Sequence, residues 1–236
     1  MFVEPASCRV TTTPAFTGTL VAIFLSAGCA HLPYVLSDSR DHIVAIDVAL
    51  SPDMAIAGRA TSQRAPITLV RGFVRSSDVA RVSAVVAFVM ATTRLQDLNL
   101  RATGYQAGNW NGLSGTALML DPNEDLRRLE ERMVAATRPF RLTPEDAEAF
   151  IMTPDGSRMN GDTIEMVDRF VPDGAGVNYR PHIFVAGVQA DAAKRAADQP
   201  ADQVSFRSVG AAIYQIGAQG VAERVLWSWT GEIGAR

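Results

Sequence analysis

Cysteine and histidine are scarce in this chain, and their scarcity excludes several classes of site. The sequence has two cysteines, Cys8 and Cys29, which leaves the following 207 residues without a thiol; the chain therefore does not rely on a disulfide framework. Its three histidines, His31, His42 and His182, form no cluster that could hold a metal. We therefore expect a protein with no metal and no other cofactor.

The chain also lacks a marked excess of charge of either sign. Its 22 basic and 25 acidic residues give a formal net charge of -3, which provides no general attraction to nucleic acid or to an anionic membrane. We expect a monomer without an extended nucleic-acid-binding surface. Any binding of phosphate has to come from a local site.

The apolar run of residues 20–25 is too short to span a bilayer and is followed by small residues around Cys29. This pattern predicts a secretory leader over residues 1–30. The small residues before Cys29 are similar to a bacterial lipobox, in which the cysteine is lipidated, although Ser26 replaces the usual leucine. We expect an exported protein, either a lipoprotein anchored to a membrane of the cell envelope through Cys29 or a periplasmic protein cleaved after Ala30.

The periodicity of the remaining chain predicts an α+β fold. Residues 31–41 are polar and read as a tether, and residues 42–236 form the folded domain. The first strand, residues 42–50, alternates between apolar residues on one face and Asp47 on the other. The further predicted strands are residues 67–74, 98–106, 116–120, 163–170, 181–187, 204–216 and 223–230. The predicted helices begin near residues 79, 122, 144 and 189, with Asp121 as the N-cap of the second.

Two of the predicted strands carry residues that can do chemistry. Residues i and i+2 of a strand point the same way, so His182 shares a face with Phe184, and Thr68 shares a face with Pro66. An imidazole and a hydroxyl that line one cleft can hold a phosphate and move protons without a metal. A lone histidine in a strand can equally be structural.

Four stretches resemble the two-histidine phosphoesterase superfamily, most closely its exported 2′-5′ RNA ligase-like members. They are, in order, residues 44–53, 66–74, 178–185 and 212–217. The resemblance implies a bilobed fold, in which two antiparallel sheets form a central cleft with helices outside and each lobe supplies a histidine-x-threonine motif. It also implies a small phosphodiester or an RNA end as the ligand, because members hydrolyse cyclic phosphodiesters and some join or cleave 2′-5′ RNA linkages.

The resemblance gives catalytic roles to His182, which matches the second histidine, and to Thr68, which matches the first threonine. Pro66 stands where the first histidine is expected, unless that histidine is deleted between Pro66 and Ile67. Phe184 replaces the second threonine and cannot hydrogen-bond to a phosphate oxygen. An acid–base partner contributes about 10²–10⁴-fold to a rate, so we expect weakened cyclic phosphodiesterase activity.

Further ligand-binding candidates surround these motifs. Arg180, Tyr179 and Tyr214 are expected to contact the ligand together with Phe184 and Pro66. Arg64 and Arg71 are additional groups that could hold a phosphate. Trp110 could stack on a nucleobase, and His42 could replace the missing catalytic histidine.

Three functions remain open at this point. The first is a weakened phosphoesterase. The second is a non-catalytic envelope lipoprotein that binds a nucleotide-like or other anionic ligand in the inherited cleft. The third is a purely structural lipoprotein of the envelope, since a fold alone does not fix chemistry.

Overall fold

A computed structural model describes residues 41–52, 66–110, 113–143, 161–185, 205–217 and 220–230. The predicted leader with Cys29, the tether except for Asp41, and the predicted helices near residues 144 and 189 lie outside these ranges. No helix within the described ranges is both long enough and apolar enough to cross a membrane.

The described strands form two antiparallel sheets, which confirms the predicted α+β class. The first sheet has the order β2-β1-β7-β8, and the second has the order β5-β4-β3, extended at β3 by the short β6. The strands are β1 (Ile43–Pro52), β2 (Ile67–Arg75), β3 (Leu100–Trp110), β4 (Leu113–Leu120), β5 (His182–Val185), β6 (Ser205–Phe206), β7 (Ser208–Ile216) and β8 (Ala222–Thr230).

Four α-helices are described alongside the sheets. They are α1 (Val79–Ala91), α2 (Glu124–Thr137), α3 (Gly161–Asp168) and α4 (Phe170–Gly174). Helix α1 packs on α2 and on β7 and β8, whereas α2, α3 and α4 all contact β2. The strand β2 is therefore both an edge of the first sheet and the element on which three helices meet.

The predicted strand over residues 163–170 is wrong, because this segment is helical. Thr163 and Val167 of α3 are both buried, and a spacing of four residues places them on one face of a helix. Asp162 lies in the first turn, where a carboxylate is favoured by the helix dipole. The chain that follows is also helical, since α4 runs from Phe170 to Gly174.

The predicted N-cap of α2 is displaced by two residues. Asn123, not Asp121, caps the helix: its Oδ1 accepts a hydrogen bond from the backbone N–H of Leu126 at 3.0 Å. The carboxylate of Asp121 is instead engaged by Arg101 of β3, 2.5 Å away. Both Asp121 and Asn123 are suitable N-cap residues, and the one that directly precedes α2 is used.

The segment predicted as one strand over residues 204–216 divides between the two sheets. Its first residues form β6, which pairs with β3, and the rest form β7, which lies between β1 and β8. The break falls at Arg207. This crossing of the chain from one sheet to the other was not visible in the hydrophobic pattern.

The main hydrophobic core draws on both sheets. It combines one face of β1 with α1, α2 and strands of the second sheet, including Leu100, Leu120 and Ile183. The opposite face of β1 is also covered, by a smaller cluster that includes Phe73 and Val167. Because both faces of β1 are covered along Ile43–Leu50, Asp47 in the middle of this strand has no access to bulk water.

A β-bulge in β2 sets which side chains share a face. Asp47 pairs with Arg71 and Ala49 pairs with Thr68, although Thr68 and Arg71 are three residues apart. The extra residue lies between them, so Leu69 and Val70 are both buried in the main core. A bulge re-aims the residues that flank it, and here it turns Thr68 and Arg71 to the same side as Asp47.

We predict that Gly210→Ala lowers the free energy of unfolding by about 1–3 kcal/mol, the usual cost of overpacking. A Cβ on Gly210 would lie 2.2 Å from the backbone oxygen of Trp229 in the neighbouring strand. Gly161→Ala is the matched control, because a Cβ there meets nothing within 4 Å. Denaturant unfolding of both variants checks the prediction, and equal stability of the two variants would contradict it.

Candidate functional site

A cavity of about 450 Å³ lies where the edge strand β2 of the first sheet approaches the edge strand β5 of the second. Thr68 and His182, the two predicted catalytic residues, both line it. The structure therefore brings together two side chains that are 114 positions apart in the chain. The lining residues are Thr68, Phe170, Asp173, Gly174, Asn178, Tyr179, Arg180 and His182.

The hydroxyl of Thr68 belongs to a buried network on the cavity floor. It donates a hydrogen bond to Oδ2 of Asp47 at 2.9 Å and accepts one from Nη2 of Arg71 at 3.3 Å. We call these three residues the floor network. A hydroxyl has a single proton, so the proton of Thr68 is directed to Asp47 and its oxygen is the part left for a ligand.

Asp47 and Arg71 form the ion pair at the centre of the floor network. Nη2 of Arg71 lies 3.0 Å from Oδ2 of Asp47, and Nε donates to the same oxygen at 3.1 Å. Asp47 is fully buried, and its Oδ1 has no hydrogen-bond partner among the described residues. The carboxylate therefore depends on a single guanidinium and a single hydroxyl for its compensation.

His182 is held in one tautomer by the backbone of its own strand. Its Nδ1 lies 2.9 Å from the carbonyl oxygen of Arg180, and since a carbonyl only accepts, Nδ1 carries the proton of the neutral ring. Burial lowers the pKa of His182 and the positive charge of Arg71 lowers it further, against the opposing effects of the Arg180 carbonyl and Asp47. The neutral imidazole then has its basic lone pair on Nε2, the form that a general base needs.

Tyr179 connects the two sides of the cavity. Its hydroxyl donates to the backbone oxygen of Thr68 at 2.8 Å, and the residue is buried. Burial raises the pKa of Tyr179 well above its usual value, and the charges of Glu130 and Asp47 raise it further. Its phenol therefore stays protonated and serves as a link between β2 and the segment before β5.

One wall of the cavity is fixed from helix α2. Both backbone polar groups of Gly176 are hydrogen-bonded to α2. The N–H donates to Oε2 of Glu130 at 3.2 Å, and the carbonyl accepts from Nη1 of Arg127 at 3.0 Å. Gly176 has a φ of 61°, which glycine adopts without steric cost. Burial raises the pKa of Glu130. This clamp sets the position of the turn that leads to Asn178.

The remaining predicted ligand-binding residues divide between the cavity and other places. Arg180 lines the cavity and is exposed. Phe184 packs over Gly115, where a Cβ would lie 2.6 Å from its ring, and it is not among the lining residues. Tyr214 is buried in a separate cluster with Ala49 and Ala212. Pro66 is half-buried at the start of β2 and does not line the cavity either.

The alternative candidates are also placed apart from the cavity or outside the described residues. The backbone N–H of His42 donates to Oγ of Ser76, and His42 is not among the lining residues. Arg64 and the side chain of Trp110 lie outside the part of the chain that the structure describes. Arg71, in contrast, reaches the cavity floor through Thr68.

Sequence reasoning missed Asp47, Phe170, Asp173 and Asn178 as site residues. The signal for Asp47 was present, since a carboxylate in an otherwise apolar strand requires a partner. Phe170 and Asp173 belong to α4, and Phe170 also ends the segment predicted as a strand, whereas Asn178 follows α4 and opens the third resembling stretch. Their approach to His182 depends on α3 and α4, which a strand assignment cannot provide.

Two comparisons with known proteins do not identify the site. Comparison with models of known protein families gives no match, and comparison with curated proteins gives none. The described residues contain no cluster of three or more histidine, cysteine or acidic side chains that could hold a metal ion. The chemistry of the cavity has to be interpreted from its own hydrogen bonds and charges.

We predict that the imidazole of His182 titrates below its ordinary pKa of 6.5, and that Asp47→Asn lowers its pKa further. The substitution removes the negative charge that raises this pKa and leaves Arg71, which lowers it. Histidine NMR titration of the two proteins checks the prediction. Asp121→Asn, which removes a carboxylate engaged by Arg101, is the control and should leave the value unchanged. A rise in the pKa in Asp47→Asn would contradict the assignment.

Proposed function

We propose that this chain is an exported phosphodiester-binding protein of the two-histidine phosphoesterase type, with one acid–base group where that superfamily has two. The observation that carries the proposal is the shared cavity of Thr68 and His182. It is supported by the placement of their strands at facing edges of two antiparallel sheets, as a bilobed fold of this type requires. We further propose slow hydrolysis of a small cyclic phosphodiester or RNA end.

In the proposed reaction, His182 acts as general base through Nε2. It takes a proton from a water molecule as the water oxygen attacks phosphorus, and one phosphorus–oxygen bond of the ring breaks. The departing sugar oxygen takes its proton from solvent, because no second imidazole lines the described cavity. The product is a phosphomonoester with a free neighbouring hydroxyl.

Three features account for weak activity. Pro66 supplies no proton donor in place of the first histidine. The proton of Thr68 is directed to Asp47, so this hydroxyl cannot donate to a phosphate oxygen unless the floor network rearranges. Phe184 is committed to packing over Gly115. Each of these removes a group that would stabilise charge in the transition state.

Ligand binding without turnover is the second candidate function. The direction of the Thr68 hydrogen bond favours it, because an oxygen presented to the cavity can accept from a ligand hydroxyl or base but does little for a developing negative charge. Phe170 and Asn178 also line the cavity and can contact the non-phosphate part of a nucleotide-like ligand. In this alternative, the cavity binds an anionic ligand through contacts to all of its parts and not to the phosphate alone.

We predict slow hydrolysis of 2′,3′-cyclic nucleotides by the unsubstituted chain, and a loss of about 10²–10⁴-fold in His182→Ala because the general base is removed. His42→Ala is the matched control and should retain the activity. A chromatographic assay of phosphomonoester formation makes the measurement. Equal rates in both variants would contradict the role of His182.

The same assay separates a disabled enzyme from a binding protein. Pro66→His, or a histidine inserted between Pro66 and Ile67, supplies a second imidazole on the face of β2 that carries Thr68. A gain of activity in either variant supports descent from a two-histidine enzyme. Binding of the cyclic nucleotide with no turnover in any of these proteins supports the second candidate function.

We predict that Cys29 carries the proposed lipid anchor. Metabolic labelling with palmitate in a bacterial host should label the unsubstituted chain and Cys8→Ser, but not Cys29→Ser, because only Cys29 follows an apolar run that is closed by small residues. Labelling of Cys29→Ser would contradict the anchor. Export of an unlabelled chain would identify the soluble periplasmic alternative.

A further inference from the structure

We propose that Asp47 makes the cavity selective for monoanionic phosphodiesters over dianionic phosphomonoesters. This inference rests on the function proposed above and adds the residue that determines specificity. Asp47 does not line the cavity, but it accepts the proton of Thr68, which does. It also contributes to the electrostatic environment of His182 and Tyr179, which line the cavity as well.

The first argument is the balance of charge around the cavity. The floor network contributes one carboxylate and one guanidinium, from Asp47 and Arg71. Among the residues that line the cavity, Asp173 carries a carboxylate and the exposed Arg180 carries a guanidinium. The floor network and the lining therefore hold two carboxylates and two guanidiniums, and His182 is neutral at pH 7 because burial lowers its pKa. The surroundings of the cavity carry no net positive charge for a dianion.

The second argument is the direction of the polar groups. Because Asp47 takes the proton of Thr68, the cavity floor presents a hydroxyl oxygen instead of a hydrogen-bond donor. Arg71 is held away from a ligand, since Nε and Nη2 bind Asp47 and Nη1 contacts the sulfur of Met166 at 3.0 Å. Arg71, the cation of the floor network, is therefore already engaged, chiefly by Asp47.

The third argument is the charge of the two ligand classes. A phosphodiester carries one negative charge, whereas a phosphomonoester carries about −1.5 to −2 near pH 7. The repulsion by a buried carboxylate scales with the charge of the ligand, so Asp47 opposes a monoester about twice as strongly as a diester. If the protein is an enzyme, the weak affinity for monoesters lets its product dissociate easily. If it is a binding protein, the same weak affinity excludes monoesters as ligands.

The test compares two ligands and two proteins. Isothermal titration measures the affinity of the full chain and of Asp47→Asn for 2′,3′-cyclic AMP and for 3′-AMP, at about pH 8 where the monoester is a dianion. We expect the unsubstituted chain to prefer the diester, and Asp47→Asn to reduce that preference by about tenfold, equivalent to about 1.4 kcal/mol. Asp121→Asn is the matched control and should leave the preference unchanged.

A second measurement needs no substitution and covers the case in which Asp47→Asn does not fold. The monoester gains its second charge near pH 6 or so, so the ratio of monoester to diester affinity in the unsubstituted chain should fall as the pH rises through that value. Taking the ratio removes effects of His182 that both ligands share. A ratio that stays flat or rises overturns the inference.

The outcomes separate this inference from the proposed function. Binding of the cyclic nucleotide with a preference that Asp47→Asn leaves unchanged overturns the role of Asp47 alone. Absence of binding of the cyclic nucleotide to the unsubstituted chain overturns both. A preference for the diester that shrinks in Asp47→Asn and survives in Asp121→Asn supports the inference, because a loss of fold would weaken both ligands together.

Discussion

The buried ion pair between Asp47 and Arg71 is the constraint on which the site depends. A carboxylate without exposure to water is tolerated only when a cation and hydrogen bonds compensate it. Here the cation and the hydrogen bond come from the neighbouring strand, and they reach the carboxylate because a bulge turns both donors to one face. Strand pairing, the orientation of Thr68 and the charge near His182 are therefore parts of a single arrangement, and none of them can change alone.

This arrangement explains the protonation of His182 and the direction of the Thr68 hydroxyl in the cavity. The cavity lining contains the imidazole of His182 and the hydroxyl of Thr68, whose properties are set by neighbouring groups. The backbone oxygen of Arg180 fixes the tautomer of His182, burial keeps the ring neutral, and Asp47 fixes the direction of the Thr68 proton. The backbone of Arg180 and the side chain of Asp47 thus decide which nitrogen of His182 is basic and which way the hydroxyl of Thr68 points.

Much of the fold could be predicted from the sequence, because alternation over residues 42–50 indicates a strand and helical spacing after Val79 indicates a helix. The alternation did not show that β1 is buried on both faces. The pairing of Thr68 with His182 in one cavity was expected from the resemblance to a fold with two facing motifs; strand alternation alone says which way each side chain points, not that the two faces meet. The helical character of α3 was missed because a short segment with two buried residues fits either period. The floor network was missed because Thr68 and Arg71 are three residues apart, and residues at that spacing normally point to opposite faces of a strand. Only the register of β2 with β1 reveals the bulge that turns them to one face.

The hydrogen bonds to Gly176 show that the cavity depends on more of the fold than the two strands that bear Thr68 and His182. One wall is held in place by two side chains of α2, a helix that packs on α1 and contacts β2. The two strands that bear Thr68 and His182 would not recreate the cavity if they were transplanted into another scaffold, since the wall would arrive without its support. Because α2 holds this wall in place, substitutions at the α1–α2 contact are expected to change the shape of the cavity although they lie outside its lining.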